Sequence, residues 1–401
     1  MGLRALLSFL PLVLVSSCTE GTVPSEGAAP SREVTAGGFT QVSYASLPDE
    51  PVFEFEVVAE IGRGDNVNFG LIGDIELAES GEIFVLDVQS SEIRRFDESG
   101  REGVPVAGPG EGPGELGRVN GIAVDQRGGI WVVDWGNMRT HEFPVTADVR
   151  THPFPTDLFG GAWEGGISDD GRLWFRWSKS DLPPGPYEGG ISNGTEAVYL
   201  TSHDPASEAV DSIFLGTSPI VVFSLARGRY SQGLPFTPRR LLALDPQGSV
   251  WTVRSDEYRI VRLDMNGDTL LVIDVDADPP HLSDGERSAA IRSLEDLMGP
   301  GEGFTVDWET VMPRSKPVVQ QITIDEQANV WVQRSSELGT VFDVFTREGE
   351  FIARFEGLFT PWPFFHPVVR GGRLATVLSD SLDVHTVLVL KAPMESAVNG
   401  R

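Results

Sequence analysis

A short hairpin pattern recurs six times along this chain, and it constrains the fold more than any other feature of the sequence. Each copy has an apolar strand, a polar turn that commonly ends in glycine, and a second strand that opens with aliphatic, aromatic and aliphatic residues. One position of the second strand is equivalent in all copies and is occupied by Phe84, Trp131, Trp174, Trp251, Trp331 and, in the last copy, Ala375. This self-similarity predicts a repeat architecture in which each copy is one structural unit.

The polar turns share a second feature, an aspartate that follows the first strand. It is present as Asp125, Asp169, Asp245 and Asp325. A side-chain oxygen at that position can accept hydrogen bonds from the turn amides, while glycine or asparagine adopts a positive φ. We therefore interpret these four aspartates as structural.

The strands of the hairpins are apolar at both odd and even positions, as in residues 83–86 and 130–133. Both faces of each sheet must then be buried, although antiparallel hairpins in a two-layer sandwich would leave one face polar. Blades packed face to face around a ring bury both faces. We predict an all-β fold, a six-bladed β-propeller.

Most successive turns lie about 40 to 50 residues apart, the length that a four-stranded blade needs, but two gaps are nearly twice as long. In the second long gap, Ser283 and Glu286 form a capping box that opens a helix ending at Met298. We predict that this short helix is an insertion outside the blades. A seventh blade within the first long gap is the alternative.

The last hairpin is followed by only one more strand, residues 385–390, which leaves the last blade a strand short. Residues 52–61 precede the first hairpin and have no partner of their own. We predict that this N-terminal segment supplies the missing outer strand, because doing so closes the ring and removes an open sheet edge.

The N-terminal region has the pattern of an export signal. A positive start at Arg4 precedes an apolar run over residues 5–15, which is too short to span a bilayer as a stable helix. The run ends at Cys18, the single cysteine, in a pattern that resembles the lipobox of bacterial lipoproteins. We predict a signal peptide over 1–17, lipid attachment at Cys18, a flexible tether over 18–50 and a propeller over 51–395. An ordinary secreted protein with a stray cysteine is the alternative.

Residues 121–125, 129–134 and 137–139 resemble an NHL-type propeller repeat, and the glycine-rich residues 108–116 are similar to the loops between such repeats. The region 52–391 as a whole resembles the bacterial six-bladed β-propeller lipoproteins, most of which have no assigned activity. The resemblance implies the fold and a membrane-anchored location in the cell envelope, at the outer membrane or facing the periplasm. It implies no particular chemistry.

The formal net charge of -28 argues against a nucleic-acid partner, because binding a polyanion requires clusters of lysine and arginine. Asp274, Asp276 and Asp278 alternate like the start of a calcium loop, but Pro279 stands where such a loop needs glycine. The histidines form no metal-binding pair along the sequence. We predict no bound cofactor, although side chains from different blades could still converge on a divalent metal.

The ends of the second strands differ in charge from copy to copy and are occupied by Asp87, Asp134, Trp177, Arg254, Arg334 and Leu378. In a propeller these positions share one rim with the loop that carries Tyr258. Two cations at equivalent positions of adjacent blades indicate a polar or anionic ligand, such as an acidic saccharide or peptide. The alternative is that Asp87 and Asp134 only cap strand turns.

Two functions fit this sequence. The first is a non-catalytic binding or interaction module in the cell envelope. The second is an enzyme that resembles the propeller lactonases or lyases, with a divalent metal in the central channel. The enzyme requires several acidic, Asn or His side chains that converge on the axis, whereas the module requires only a polar rim.

Overall fold

The computed structural model describes residues 29–49, 51–63, 67–155, 158, 162–168, 170–181, 190–207, 209–225, 228–298, 306–335, 339–362 and 365–393. The predicted signal peptide, Cys18 and the first part of the tether lie outside these residues. Regular structure is almost entirely β-strand, arranged in six sheets. Within the described ranges, no helix is long and apolar enough to cross a membrane.

Four strands precede the first hairpin: β1 (Ser31–Val34), β2 (Thr40–Tyr44), β3 (Val52–Glu54) and β4 (Glu56–Ile61). Blade one contains β5 (Ile72–Leu77), β6 (Ile83–Asp87) and β7 (Glu92–Phe96), and blade two contains β8 (Val119–Val124), β9 (Ile130–Asp134), β10 (Arg139–Phe143) and β11 (Arg150–Pro153). Blade three contains β12 (Ala162–Ile167), β13 (Leu173–Asp181), β14 (Gly190–His203), β15 (Val210–Leu225) and β16 (Gly228–Gln232). Blade four contains β17 (Arg240–Asp245), β18 (Ser249–Arg254), β19 (Arg259–Leu263) and β20 (Thr269–Val275). Blade five contains β21 (Gln321–Ile324), β22 (Val330–Ser335), β23 (Thr340–Phe345) and β24 (Phe351–Gly357), and blade six contains β25 (Val368–Arg370), β26 (Arg373–Ser379) and β27 (His385–Lys391).

The innermost strands of the six sheets form a closed ring. β5 lies beside β8, β8 beside β12, β12 beside β17, β17 beside β21, β21 beside β25, and β25 beside β5. The predicted all-β, six-bladed propeller is therefore confirmed.

The hydrophobic core consists of apolar layers between adjacent blades. All five residues of β6 are buried. Ile83 and Val85 pack toward blade six, whereas Phe84 and Leu86 pack toward blade two. Burial of each such side chain stabilises the fold by roughly 1.5–3 kcal/mol. Both faces of the sheet belong to the core, which is why residues 83–86 of the central strand are apolar at odd and even positions alike.

The ring is closed by the N-terminal segment, as predicted. β4 pairs antiparallel with β27, with Ile61 opposite Val387, and becomes the outer strand of blade six. β3 instead runs parallel to β24, with Phe53 opposite Phe355, and extends blade five. Residues 52–61 therefore join two neighbouring blades.

The structure corrects the predicted tether over residues 18–50. β2 runs parallel to β20 and β1 pairs with β2, so residues 31–44 extend blade four. The buried Tyr44 hydroxyl donates to the Gly349 carbonyl oxygen at 2.9 Å and accepts from the Phe351 N–H at 2.8 Å. The folded region thus begins before residue 51, because Val42 and Tyr44 alternate with polar residues and bury one face of a strand.

The turn aspartates are structural wherever they are described. In three blades the carboxylate accepts a hydrogen bond from the indole of its own hairpin: Asp125 from Trp131 at 3.1 Å, Asp245 from Trp251 at 3.5 Å, and Asp325 from Trp331 at 3.1 Å. Asp325 also accepts from the N–H groups of Gln327 and Asn329. Asp169 lies outside the described residues.

The two long gaps hold different insertions. The first is occupied by the long strands β14 and β15, of 14 and 16 residues, and its described part contains no seventh blade. The second holds α1 (Asp284–Met298) and α2 (Trp308–Val311), where one helix was predicted. The capping box is confirmed, because Ser283 Oγ accepts from the Glu286 N–H at 3.3 Å and the Ser283 N–H donates to the Glu286 carboxylate at 3.1 Å.

Candidate functional site

The two predicted rim aspartates are buried and hold loops in place. Asp87 accepts hydrogen bonds from four backbone N–H groups of the loops around it. Asp134 accepts from the Gly117 N–H and the Asn137 amide, both at 2.8 Å. Burial opposes ionisation of Asp134, but the His141 imidazole, whose Nε2 lies 3.7 Å from the carboxylate, and the hydrogen bonds from Gly117 and Asn137 outweigh it and lower the pKa. Both carboxylates therefore act as caps.

The rim arginine of blade four has carboxylate partners in its own turn. Arg254 Nε lies 2.6 Å from Asp256 Oδ1, and its Nη2 lies 3.4 Å from Glu257. The hydrogen bond to Asp256 is the main reason that the pKa of Arg254 is raised. This pairing compensates the charge that had suggested an anionic ligand.

The rim arginine of blade five belongs to a buried network. Arg334 Nε donates to Asp343 at 2.6 Å, and Arg354 Nε donates to the same carboxylate at 2.9 Å. The Tyr258 hydroxyl donates to Asp343 at 2.8 Å, and burial raises the pKa of this tyrosine, as does the Asp343 charge. Asp343 is fully buried, so the two arginines supply its counter-charge.

The predicted rim residues do not surround one cavity. Trp177 is partly exposed on β13, opposite Tyr199 of β14. Tyr258 borders an open groove beside blade four, which is also lined by Asp256, Asp274 and Asp276. Within the described part of the chain, none of the six predicted rim residues lines the central channel.

The central channel is a cavity of about 650 Å³ that the innermost strands of all six blades line. Residues from each strand in turn are Asp74 of β5, Ile122 of β8, Trp163 of β12, Leu244 of β17, Ile324 of β21 and Arg370 of β25. A cavity of this size matches a small-molecule ligand. It is the candidate functional site.

One stretch of the channel wall, the polar sector, is formed by Arg370, Asp74 and Glu76 of blades six, one and two. Leu244 and Ile324 of blades four and five form an apolar sector, which two carboxyls of blade five border. Asp74 and Glu76 are two residues apart on β5 and therefore share one side of the strand.

The polar sector connects three blades. Asp74 accepts hydrogen bonds from the N–H groups of Ile75 at 3.0 Å and of Ile122 in blade two at 2.9 Å. Arg370 of blade six donates to the carbonyl oxygens of Leu77 in blade one and Val124 in blade two, each at 3.2 Å. Carbonyl oxygens of the inner strands β5 and β8 thereby obtain a hydrogen-bond donor from blade six.

Asp74 and Glu76 are partly buried: protein atoms enclose most of each side chain, and the remainder lines the channel. Burial raises the pKa of Asp74 to about 7, against lowering by the N–H groups of Ile122 and Ile75. Burial raises the pKa of Glu76 to about 8, and the charge of Arg370 offsets only part of this effect. Two carboxyls that titrate near neutral pH in one cavity mark a functional-site candidate.

Glu76→Gln should raise the free energy of unfolding at pH 8 by on the order of 4 kcal/mol and leave it nearly unchanged below pH 4.5. The raised pKa means that the folded state holds the proton more tightly than the unfolded chain. This contribution is complete below the unfolded value of 4.5 and is lost as the pH rises through about 8. Urea unfolding at both pH values measures the difference, and the exposed Glu79→Gln is the matched control. An equal effect of Glu76→Gln at both pH values would contradict the shift.

The described residues contain no group of three or more His, Cys, Asp or Glu side chains arranged to hold a metal ion. The alternating Asp274, Asp276 and Asp278 are not such a group either. The part of the chain that the structure describes therefore does not offer the ligand set that the divalent metal of a lactonase-like reaction would require.

Sequence reasoning missed Asp74, Glu76 and Arg370. Their signal was nevertheless present, because Asp74 and Glu76 interrupt an otherwise apolar inner strand next to Ile75 and Leu77. A charged side chain in a strand that is buried on both faces needs either a partner or a cavity.

A family model agrees with the architecture. The family DUF5128, described as a 6-bladed beta-propeller, matches residues 54–145. No curated protein matches the chain in sequence.

Several solved structures are similar to the chain. A putative exported protein from Bacteroides fragilis is 12% identical, with a TM-score of 0.44 over 88% of this chain and 99% of that one. A calcium-binding regucalcin from Agrobacterium tumefaciens is 14% identical, with a TM-score of 0.40 over 86% and 97%. A gluconolactonase from Xanthomonas campestris is 12% identical, with a TM-score of 0.41 over 80% and 87%.

Proposed function

We propose that this chain is a lipid-anchored binding module of the cell envelope whose ligand occupies the central channel. The observation that carries the proposal is the channel itself, a ligand-sized cavity with one charged and one apolar sector. Concave cavities in which several polar groups converge are common sites of small-molecule binding.

The channel is a better candidate than the rim for a physical reason. Arg254 and Arg334 already have carboxylate partners, so an anionic saccharide or peptide would have to displace Asp256 or Asp343. Glu76, in contrast, keeps acceptor capacity that the protein does not use. We therefore propose the channel, rather than the rim, as the binding site for a polar ligand.

Filling the channel should abolish binding. Leu244→Trp places a large side chain on the apolar sector, and every ligand found for the wild type should lose at least tenfold in affinity. The Arg254→Ala, Arg334→Ala double variant is the control, because Arg354 still neutralises Asp343. A thermal-shift screen of diamines, diols, dicarboxylates and neutral or acidic oligosaccharides, followed by calorimetry, makes the comparison. Ligands that survive Leu244→Trp and are lost in the double variant would return the site to the rim.

The anchor is tested at Cys18. Cys18→Ala should leave the protein unlipidated and move it from the membrane fraction to the soluble fraction, because only the thiol can accept the lipid. Several buried acyl chains, at about 0.8 kcal/mol per methylene, otherwise give a lasting anchor. Ser17→Ala keeps a small residue before the cysteine and is the control. Fatty-acid labelling that persists in Cys18→Ala would exclude this lipoprotein assignment.

The second candidate function is a propeller enzyme, and the observation that favours it is the carboxyl pair Asp74 and Glu76. A carboxyl with a pKa near the working pH can act as a general acid or base. A metal-dependent lactonase or lyase activity also requires a bound ion. Metal analysis of the purified protein distinguishes the two functions, since one equivalent of a divalent metal would favour the enzyme.

A further inference from the structure

We propose that the channel binds an organic cation, an ammonium group attached to an apolar chain, with Glu76 as its counter-charge. The inference rests on the proposed function, because it takes the channel as the binding site and specifies the chemistry of the ligand.

The first argument is the balance of hydrogen-bond donors and acceptors. Arg370 makes three hydrogen bonds, all of them to the carbonyl oxygens of Leu77 and Val124. Asp74 already accepts two backbone N–H groups. The Glu76 carboxyl is enclosed by protein, lines the cavity, and receives a backbone hydrogen bond from the neighbouring Leu77. A carboxylate has room for about four hydrogen bonds, so the unused capacity is for acceptance, and a ligand rich in N–H donors complements it.

The second argument is charge. The acidic side chains that line the channel are Asp74, Glu76, Asp125, Glu142, Asp170, Asp325 and Glu326, and the arginines are Arg127, Arg150 and Arg370. Negative charge between low-dielectric walls concentrates cations in the cavity.

The third argument is the chemistry of the opposite wall, which favours an organic cation over a bare metal ion. Leu244 and Ile324 line the same cavity, are only partly buried in the core, and offer no ligand atoms to a hydrated metal. An alkyl chain of the ligand can bury its methylenes against them, while its ammonium group reaches Glu76.

Proton release should accompany binding. The groups that act on Glu76 are Arg370, whose charge favours ionisation, and Asp74, whose charge opposes it, and burial outweighs both. Glu76 is therefore mostly protonated near pH 7. An ammonium group stabilises the carboxylate, so the carboxylic proton passes to the buffer and affinity rises about tenfold from pH 6 to pH 7.

The experiment compares three probes of similar length: hexamethylenediamine, hexanediol and adipate. Calorimetry at pH 6, 7 and 8, in buffers of different ionisation enthalpy, gives the affinity and the number of protons released. Wild type is compared with Glu76→Gln, with the exposed control Glu79→Gln and with the channel-filling Leu244→Trp. A thermal melt of each variant verifies that it is folded.

We expect the diamine to bind with the proton release and pH dependence given above, to lose at least tenfold in affinity in Glu76→Gln, and to bind Glu79→Gln normally. If hexanediol or adipate binds more tightly than the diamine and this binding is lost in Leu244→Trp, the proposal of a cationic ligand is wrong, but the channel remains the binding site. Diamine binding that survives Leu244→Trp would overturn both the proposal of a cationic channel ligand and the proposal that the channel is the binding site. If none of the probes binds the folded wild type, the proposal of a cationic ligand is wrong. Ligands from the wider screen then still test whether the channel is the binding site.

Discussion

Deletion of residues 52–61 should destabilise the whole domain, so that its cooperative unfolding transition is lost. It should not merely cause fraying at one end of the chain. β4 is the outer strand of blade six, and Ile61 and Ala59 are buried in the layer between blades six and one. Without it, β27 becomes an open edge and the blade has only three strands. The same seam is held by the Ile72 N–H, which donates to His385 Nδ1 at 3.2 Å.

Circular dichroism during thermal and urea unfolding measures this effect. The matched control is deletion of residues 29–37, which removes the exposed edge strand β1 but leaves β2 and Tyr44 on blade four. We expect the control to melt within about 4 °C of the parent, a loss near 1 kcal/mol or less for a domain of this size. If the protein without residues 52–61 melts as close to the parent as the control does, closure by this segment is not needed for stability.

The fold could be predicted from the sequence because its decisive signals are local. The hairpins, the aromatic at the equivalent position and the capping box at Ser283 each lie within a few residues of one another. Closure was predictable by counting strands, since the last blade lacked one and residues 52–61 had no partner. The strands β1 and β2 were missed because their partner, β20, lies more than 200 residues away and their composition resembles a linker.

The site could not be predicted in the same way, because it depends on convergence between blades. Asp74 in blade one contacts Ile122 in blade two, and Arg370 in blade six reaches Leu77 and Val124. No spacing along the chain encodes these contacts. The predicted rim residues do not form a cavity for the opposite reason, since Asp256 lies two residues after Arg254 in the same turn and pairs with it locally.

The aromatic position itself gives the most direct test of how the blades are stabilised. Trp251→Ala and Trp331→Ala should each lower the free energy of unfolding by about 3 to 5 kcal/mol, and Trp131→Ala should be at the lower end of that range. Trp251 and Trp331 are fully buried, whereas 8% of Trp131 is exposed. Trp331 also stacks on Phe355 with a ring separation of 5.0 Å.

Two effects are combined in these substitutions, and Trp331→Phe separates them. Phenylalanine keeps the aromatic contact but removes the indole N–H that donates to Asp325 together with part of the ring, so it should cost about 1 to 3 kcal/mol, less than alanine. The chain supplies its own precedent, because Phe84 fills the equivalent position of blade one and is buried without such a donor. Urea unfolding of the alanine and phenylalanine variants gives both contributions. If Trp331→Ala kept the stability of the parent and instead lost binding of a channel ligand, the equivalent aromatics would form a binding surface rather than the core between blades.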